Sequence, residues 1–223
     1  MGQGRRPRLS PVTGTRGKLI EGTIEVLRTR GIAGTSARAI ATTAGVNQAL
    51  VFYHFGTVDS LVDVACREST AELLSLYHDR FLSVTSLREL LALGRELNVT
   101  QRDAGNVTVL AQVLAGAQQD ASLASAARHS LGLWIAEIEA VLRRVLADSP
   151  VLELAPAADL AQAVAAAFIG VELYEGVEPD AAARVLDTLE TLSVLAEVLD
   201  DLGPVARRAL RARLRRRRRP AVR

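Results

Sequence analysis

The chain has 223 residues, of which 49% are hydrophobic and only 4% are aromatic. This apolar content is enough for a substantial buried core, and the scarcity of aromatic side chains leaves leucine, alanine and valine to pack it, which favours helices. The longest nearly apolar run, 163–171, is interrupted by Gly170 and is shorter than the roughly 20 residues of a membrane span. We therefore expect a cytoplasmic protein with no membrane partner.

Cysteine and histidine are too few to build a disulfide framework or a metal site. The chain has one cysteine, Cys66, and three histidines that are scattered along it, so neither an internal disulfide nor a zinc site of ordinary spacing is expected. No phosphate-cradling glycine loop and no serine–histidine–aspartate arrangement is present. We expect no metal, no cofactor and no catalytic residue, and hence a protein that is not an enzyme.

Charge is segregated along the chain, although the net value is only +2. Residues 1–60 have a net charge of +5, residues 61–203 one of −13, and residues 204–223 carry ten arginines and no acid. A basic front can approach a polyanion that the acidic middle would repel, so the pattern favours nucleic-acid binding by the N-terminal part. The arginine tail has two open interpretations, nonspecific nucleic-acid affinity or a last helix that rests on the acidic body.

Helical periodicity accounts for almost every segment between the glycine and proline breaks, and no segment alternates long enough for a strand. Residues 1–14 are expected to form a flexible basic arm. In chain order the periodicity predicts helices at 15–30, 37–44 (after a cap at Thr35 or Ser36), 48–55, 57–82, 86–96, 107–117, 122–147, 157–174 and 180–202, with a basic helix after Pro204. We therefore predict an all-α fold of about ten helices.

The second and third predicted helices have the proportions of a helix-turn-helix, with Gly45 in the turn. The predicted inward face of this unit, which would pack on Ile20, Ile24 and Leu27, consists of Ile40, Ala41, Val46, Val51 and Phe55. The predicted outward face of the third helix carries Gln48, Ala49, Phe52 and Tyr53. Spacing alone also permits a plain helical hairpin in which Phe52 and Tyr53 plug a core.

An outward third helix can enter the major groove of DNA. There Gln48 can pair with an adenine edge, and Ala49 and Leu50 can contact thymine methyl groups. Hydroxyl, imidazole and backbone amide groups at the helix starts suit phosphates. The full set of candidate DNA-binding residues is Arg16, Thr35, Ser36, Arg38, Asn47, Gln48, Ala49, Leu50, Phe52, Tyr53, His54 and Thr57.

The segment from Arg16 to Leu61 carries the strings Thr35-Ser-Ala-Arg-Ala-Ile-Ala and Gly45-Val-Asn-Gln-Ala-Leu-Val-Phe-Tyr-His-Phe. With these motifs it closely resembles the N-terminal domain of the TetR family of bacterial transcriptional regulators. The resemblance implies a DNA-binding domain at 15–61 and a helical domain for dimerisation and ligand sensing at 62–203. Two positions depart from the family pattern: Phe52 replaces a tyrosine and Val58 replaces a lysine, both of which usually contact phosphate. We expect Arg16 and the arginines of the arm to compensate.

The last long helix supports dimerisation independently of the resemblance. Its apolar residues follow a 4-3-4-3 spacing, and a second apolar stripe lies about a third of a turn away, so this helix needs a further partner. The small residues of the preceding helix permit close approach. The predicted interface residues of the homodimer are Ala161, Ala165, Gly170, Leu189, Leu192, Ala196 and Leu199. The alternative, in which both faces are buried within one chain, stays open.

A pocket for a small lipophilic effector is the least strongly indicated feature. Its candidate residues are Tyr77, Phe81, Gln112, His129, Trp134 and Phe168, each of which has an ordinary core position as its alternative. The sequence thus favours a dimeric, ligand-responsive repressor of a near-palindromic operator. The alternatives are an activator, a regulator without an effector, or a helical interaction protein whose arginine tail binds RNA.

Overall fold

The computed structural model describes residues 14–200, 203, 205, 206, 208 and 209, and for 195–200 it describes only the helical backbone. Within these residues the chain forms nine α-helices, two 3₁₀ turns and no strand, so the all-α prediction is confirmed. The helices are α1 (Thr15–Arg30), α2 (Ala37–Ala44), α3 (Ala49–Phe55), α4 (Val58–Ser83), α5 (Leu87–Asp103), α6 (Asn106–Ala117), α7 (Ala121–Val145), α8 (Ala157–Glu175) and α9 (Pro179–Asp200). The 3₁₀ turns are Ile32–Gly34 and Pro150–Glu153.

Helix α5 differs most from its predicted bounds. The polar segment after residue 97 was expected to be a loop, but the helix continues to Asp103. Asn98 and Gln101 are buried, and the Asn106 side-chain amide donates a hydrogen bond to the Gln101 side-chain oxygen at 2.6 Å. Tertiary contacts therefore override the loop-like composition. The basic arm and most of the segment after Pro204 lie outside the described residues.

The chain divides into two compact units. The first consists of the residues up to Leu76 together with Asn98–Leu133, and the second consists of Tyr77–Leu97 together with the residues from Trp134 onward. Helices α4, α5 and α7 contribute residues to both units. The boundary expected between residues 61 and 62 concerned function, and it stays a prediction.

The first unit packs α1, α2, α3 and the start of α4 around one apolar cluster. Leu19, Ile40, Val51 and Leu61 are fully buried in it. Burying a side chain of this size stabilises the fold by about 1.5–3 kcal/mol. Helices α1 and α2 approach closely because Gly22 has no side chain: a Cβ there would lie 3.0 Å from the Cβ of Ala44.

A second cluster of the first unit joins α1 to the later helices. Its buried residues are Leu27, Val62, Cys66, Val109, Val113, Ala126 and Ala127. They come from α1, α4, α6 and α7. Helix α1 therefore packs against the helix-turn-helix on one side and against α4, α6 and α7 through this second cluster.

The second unit contains α8 and α9, which pack through Val171, Ala182 and Leu186. A guanidinium on α5, that of Arg95, bonds Asp187 at 2.9 Å and Glu190 at 3.2 Å on α9. The aromatic ring of Phe168 lies against Gly94 of α5, where a Cβ would be 2.6 Å from a ring carbon.

Among the described helices, α8 is long and apolar enough to cross a membrane, and the bent pair α3–α4 passes the same test if it is counted as one span. The apolar run 163–171 lies within α8, and it is the whole helix from Ala157 to Glu175 that meets the length and composition criterion. One such helix is weak evidence for a span, since core helices also meet it. Only 22% of the apolar window of α8 is buried in this chain.

Candidate nucleic-acid interface

The turn between α2 and α3 is fixed by local hydrogen bonds. The Ser36 hydroxyl accepts from the amide of Ala39 at 3.2 Å and caps α2. Gly45, with φ of 66°, adopts the left-handed conformation that ends α2, a conformation that glycine adopts without strain. The Asn47 side-chain oxygen accepts from the amide of Ala49 at 2.8 Å at the start of α3. The segment therefore has the geometry of a helix-turn-helix.

Helix α3 has one buried side and one exposed side. Val51 is fully buried, and Leu50 and Phe55 are partly buried against the same cluster. Phe52 is 50% exposed and Tyr53 is 80% exposed. Gln48, Ala49 and His54 are also exposed. The predicted orientation is confirmed, and the alternative in which the aromatic pair plugs the core of this chain is wrong.

The remaining polar candidates differ in how much of each side chain is committed to the fold. The Thr35 hydroxyl donates to the carbonyl of Gly31 at 3.0 Å, and the Thr57 hydroxyl accepts from the amide of Ser60 at 3.0 Å. Arg38 is exposed on α2. Four of the polar candidates thus make local hydrogen bonds next to the helix starts, namely Thr35, Ser36, Asn47 and Thr57. The side chain of Arg38, by contrast, is exposed on the surface of α2.

Arg16 is held within the chain. Its guanidinium donates two hydrogen bonds to the carboxylate of Glu68 on α4, at 2.6 and 3.1 Å, and lies 5.5 Å from the centre of the Phe55 ring. The hydrogen bonds raise the pKa of Arg16 and lower the pKa of Glu68 from their ordinary values. Sequence reasoning missed Glu68, because no local pattern connects two residues that are 52 positions apart.

The candidate pocket residues fall in two different units. Gln112 and His129 belong to the first unit: the Gln112 side-chain oxygen accepts from the amide of Ile32 at 3.2 Å, and His129 Nδ1 lies 3.5 Å from Asp63 Oδ1. The aromatic candidates, which belong to the second unit, are Tyr77, Phe81, Trp134 and Phe168. The rings of Phe81 and Trp134 meet edge to face with centroids 6.3 Å apart.

The candidate interface residues of α8 divide by burial. Ala161 and Ala165 are buried within the chain and have no surface to offer a partner, whereas Gly170 is exposed. On α9, Leu192 is 51% exposed and Leu189 is half-buried. Ala196 and Leu199 lie where side chains are outside the description. The exposed side of α8 instead carries Ala163, Ala166, Ala167, Gly170 and Tyr174.

Comparisons with known proteins agree with this geometry. Residues 19–65 match the model of a family described as bacterial regulatory proteins, tetR family. No curated protein matches the chain. These 47 residues include α2, the turn and all of α3.

Solved structures share the fold over most of the chain. A transcriptional regulator from Rhodococcus sp. Rha1 is 22% identical with a TM-score of 0.62, covering 85% of this chain and 100% of its own. The regulator FadR from Bacillus subtilis, in complex with stearoyl-CoA, is 14% identical with a TM-score of 0.65, covering 80% and 97%. The multidrug binding protein EbrR, complexed with imidazole, is 24% identical with a TM-score of 0.56, covering 79% and 94%.

The matching family model is that of bacterial regulatory proteins, and solved structures of the same fold include transcriptional regulators. The match covers the segment whose exposed helix suits a DNA groove, and the structural similarity extends to the helical remainder. The helix-turn-helix segment of this chain, residues 19–65, thus matches the tetR family of bacterial regulatory proteins, and the helical remainder shares its fold with solved structures of transcriptional regulators.

Proposed function

We propose that the chain is a cytoplasmic repressor that binds a near-palindromic DNA operator as a homodimer and releases it when a lipophilic effector binds. The observation that carries the proposal is the exposed side of α3. The adjacent aromatic side chains Phe52 and Tyr53 are 50% and 80% exposed there. A soluble protein gains nothing from exposing two adjacent aromatic side chains unless that surface meets a partner.

The chemistry of α3 suits sequence reading more than bulk attraction. In the proposed complex Gln48 pairs with an adenine edge, and Ala49 and Phe52 lie against base edges. Tyr53 and His54, together with the backbone amides at the helix starts, contact phosphates. Leu50 contributes less than expected from its sequence position, because it is half-buried against the core. The nearby cations Lys18 and Arg38 are exposed and supply charge.

Dimerisation is supported by apolar residues of α8 and α9 that are exposed within the part of the chain that the structure describes. Most of the exposed residues of α8 are alanine or glycine, which allows two helices to approach closely, and Leu173 and Tyr174 extend the surface. On α9, Val185 is 40% and Leu192 is 51% exposed. A second copy related by a twofold axis would cover both helices with the same surface. Such a dimer requires two half-sites related by the same symmetry.

Effector binding is supported by the aromatic residues of the second unit and by the related structures. Phe81, Trp134 and Phe168 give that unit an apolar, polarisable interior that suits a lipophilic molecule. EbrR complexed with proflavin and FadR with stearoyl-CoA are proteins of the same fold. In the proposed mechanism the effector favours a conformation with a low affinity for the operator, and DNA favours the other.

Selection from random duplex DNA, followed by fluorescence anisotropy with the selected sequence, tests the proposal. We expect an enriched near-palindrome, and a loss of about 10- to 100-fold in affinity for Gln48→Ala with Tyr53→Ala, because one base contact and one phosphate contact are removed together. Gln118→Ala with Gln119→Ala, at two exposed positions directly after α6, is the matched control and leaves the affinity unchanged. Proflavin or a long-chain acyl-CoA is then added to release the DNA.

Each alternative has its own outcome in this experiment. Operator binding that raises transcription of a reporter would favour an activator, and binding insensitive to every lipophilic probe would favour a regulator without an effector. Enrichment of no sequence would contradict the proposal. RNA binding that survives the double substitution but is lost on removal of residues 204–223 would favour the RNA-binding alternative.

A further inference from the structure

The attachment of α3 to the rest of the first unit is slight. The helix has only seven residues, and Val51 is its one buried side chain. Leu50, next to Val51, is only partly buried against the same cluster. These two residues anchor α3 in its N-terminal half, and a tilt about that point displaces the groove-facing side chains at its ends. A second attachment near the C-terminal end of α3 would remove this freedom.

Phe55, the last residue of α3, supplies such a second attachment. Its ring is partly buried against the core of the first unit, and the guanidinium of Arg16 lies over it at 5.5 Å. A guanidinium above an aromatic face is attracted by the ring quadrupole. The cation can hold the ring only if its own position is fixed.

The carboxylate of Glu68 fixes that position. Both of its oxygens accept from Arg16, in the two-pronged geometry that gives arginine–carboxylate pairs their directionality. Both side chains are about half exposed, so the pair is worth little as a source of overall stability. Its effect is on orientation. The pair connects Arg16 at the start of α1 with Glu68 on α4, and Arg16 also contacts Phe55 at the end of α3.

We propose that Glu68 is a positioning residue for DNA recognition: it holds Arg16 across Phe55 and so fixes the tilt of α3. The proposal rests on the DNA binding proposed above and removes Arg16 from the set of phosphate contacts. The raised pKa of Arg16 and the lowered pKa of Glu68 agree with a pair that is formed in the free protein.

Two interpretations of Arg16 predict opposite signs for one substitution. If Arg16 binds phosphate, Glu68 competes with the DNA, and Glu68→Gln raises the affinity for the operator. Removing an acid also weakens the general repulsion of the polyanion, which acts in the same direction. If Glu68 positions α3 through Arg16, Glu68→Gln lowers the affinity despite that gain.

The experiment compares five variants of the full chain on the selected operator. Glu68→Gln and Arg16→Gln are each expected to lower the affinity three- to tenfold, with the slope of log affinity against log salt unchanged. The charge-swapped pair Arg16→Glu with Glu68→Arg is expected to recover at least threefold of the affinity lost in Arg16→Glu alone. Glu21→Gln, an exposed acid on α1, is the matched control and keeps or raises the affinity.

Amide hydrogen exchange in α3 gives a second measurement that needs no DNA. Faster exchange at residues 51–55 is expected in Glu68→Gln and Arg16→Gln, and unchanged exchange in Glu21→Gln, with equal thermal midpoints as the check on folding. The proposal is overturned if Glu68→Gln binds at least as tightly as Glu21→Gln with unchanged exchange, or if Arg16→Gln lowers the salt slope by about 0.9, as the loss of one phosphate contact does. A different result would separate the two proposals. If the wild type binds no DNA but exchange in α3 is still faster in Glu68→Gln and Arg16→Gln, the proposed function is contradicted and the positioning of α3 by Glu68 is supported.

Discussion

At the scale of one residue, Cys66 links burial to a measurable dependence of stability on pH. Its thiol is 6% exposed within the cluster that joins α1, α4, α6 and α7. Burial, with a smaller contribution from the negative charge of Asp63, raises the pKa of Cys66 from 9.0 to about 12. Between these values the unfolded chain has lost the thiol proton and the folded chain has kept it. The free energy of unfolding therefore falls as pH rises through this window, by at most about 1.4 kcal/mol per pH unit.

Urea unfolding at pH 8, 9.5 and 11, with wild type and Cys66→Ala side by side, checks this prediction. The alanine variant starts from a lower stability because of the cavity it creates, but its decline between pH 9.5 and 11 is expected to be shallower. Other groups that titrate in this range are common to both proteins and cancel in the comparison. Parallel curves would contradict a raised thiol pKa.

Residue-level prediction from sequence works where a residue and its neighbours on the same helix decide the outcome. The 3.6-residue period alone placed Val51 inside and Tyr53 outside, as observed. The pairing of Arg16 with Glu68 depends on two segments that meet only in the folded chain, so the exposed arginine was assigned to DNA instead. Gln112 is similar, because its bond to the amide of Ile32 joins α6 to a 3₁₀ turn that the sequence did not predict.

At the scale of elements, the crossing of α1 and α2 depends on Gly22. A Cβ there would lie 3.0 Å from Ala44 Cβ, 3.2 Å from Ala44 N and 3.3 Å from Ile40 O, so two of its three neighbours are backbone atoms that cannot rotate away. Gly22→Ala is expected to cost about 1–3 kcal/mol through overpacking, more than the gain of about 0.5–1 kcal/mol in helix propensity. It should also weaken operator binding, because α2 must shift.

Gly132→Ala provides the matched control for Gly22→Ala. Gly132 lies in the interior of α7, and a Cβ there meets nothing within 4 Å. With propensity acting alone, the free energy of unfolding is expected to rise by about 0.5–1 kcal/mol. Thermal and urea unfolding of the two variants measure the difference. A Gly22→Ala chain as stable as the control would show that α1 and α2 are not in close contact.

The presence of most helices could be predicted, because the glycine and proline breaks enclose segments whose apolar residues recur with the helical period. The bounds of α1 are as expected, since Gly14 and Gly31 bracket a clear stripe. The end of α5 was not predictable, because Asn98 and Gln101 look like loop residues until the buried hydrogen bond to Asn106 is known. The residues of α8 proposed for the interface differ from those predicted for a related reason: alanines are alike in sequence, and only packing separates buried Ala161 from exposed Ala166.

At the scale of the whole molecule, the segregation of charge and the uncovered side of α8 have a joint consequence. The acidic segment 61–203 repels DNA, so within residues 1–203 only the short basic front attracts a duplex. In a dimer, the basic N-terminal segments of two chains can bind one duplex. Once the first has bound, binding of the second is intramolecular, which raises the overall affinity. In the proposed function, specific affinity therefore depends on association of two chains through α8 and α9.

Ala167→Glu tests this dependence, because the side chain lies exposed on α8 among the small residues of the proposed interface. Wild type is expected to sediment at twice the chain mass of 23.8 kDa at micromolar concentration. The variant should sediment as a monomer, because two glutamates facing each other across a twofold axis bury like charges. It should lose at least 100-fold in affinity for the full operator, yet bind a single half-site as weakly as wild type does.

Ala136→Glu, an exposed alanine on α7, adds the same charge elsewhere and is expected to change neither mass nor affinity. A variant that stays dimeric would show that the interface does not include Ala167 of α8. A wild type that is monomeric and still binds the full operator tightly would show that dimerisation is not required.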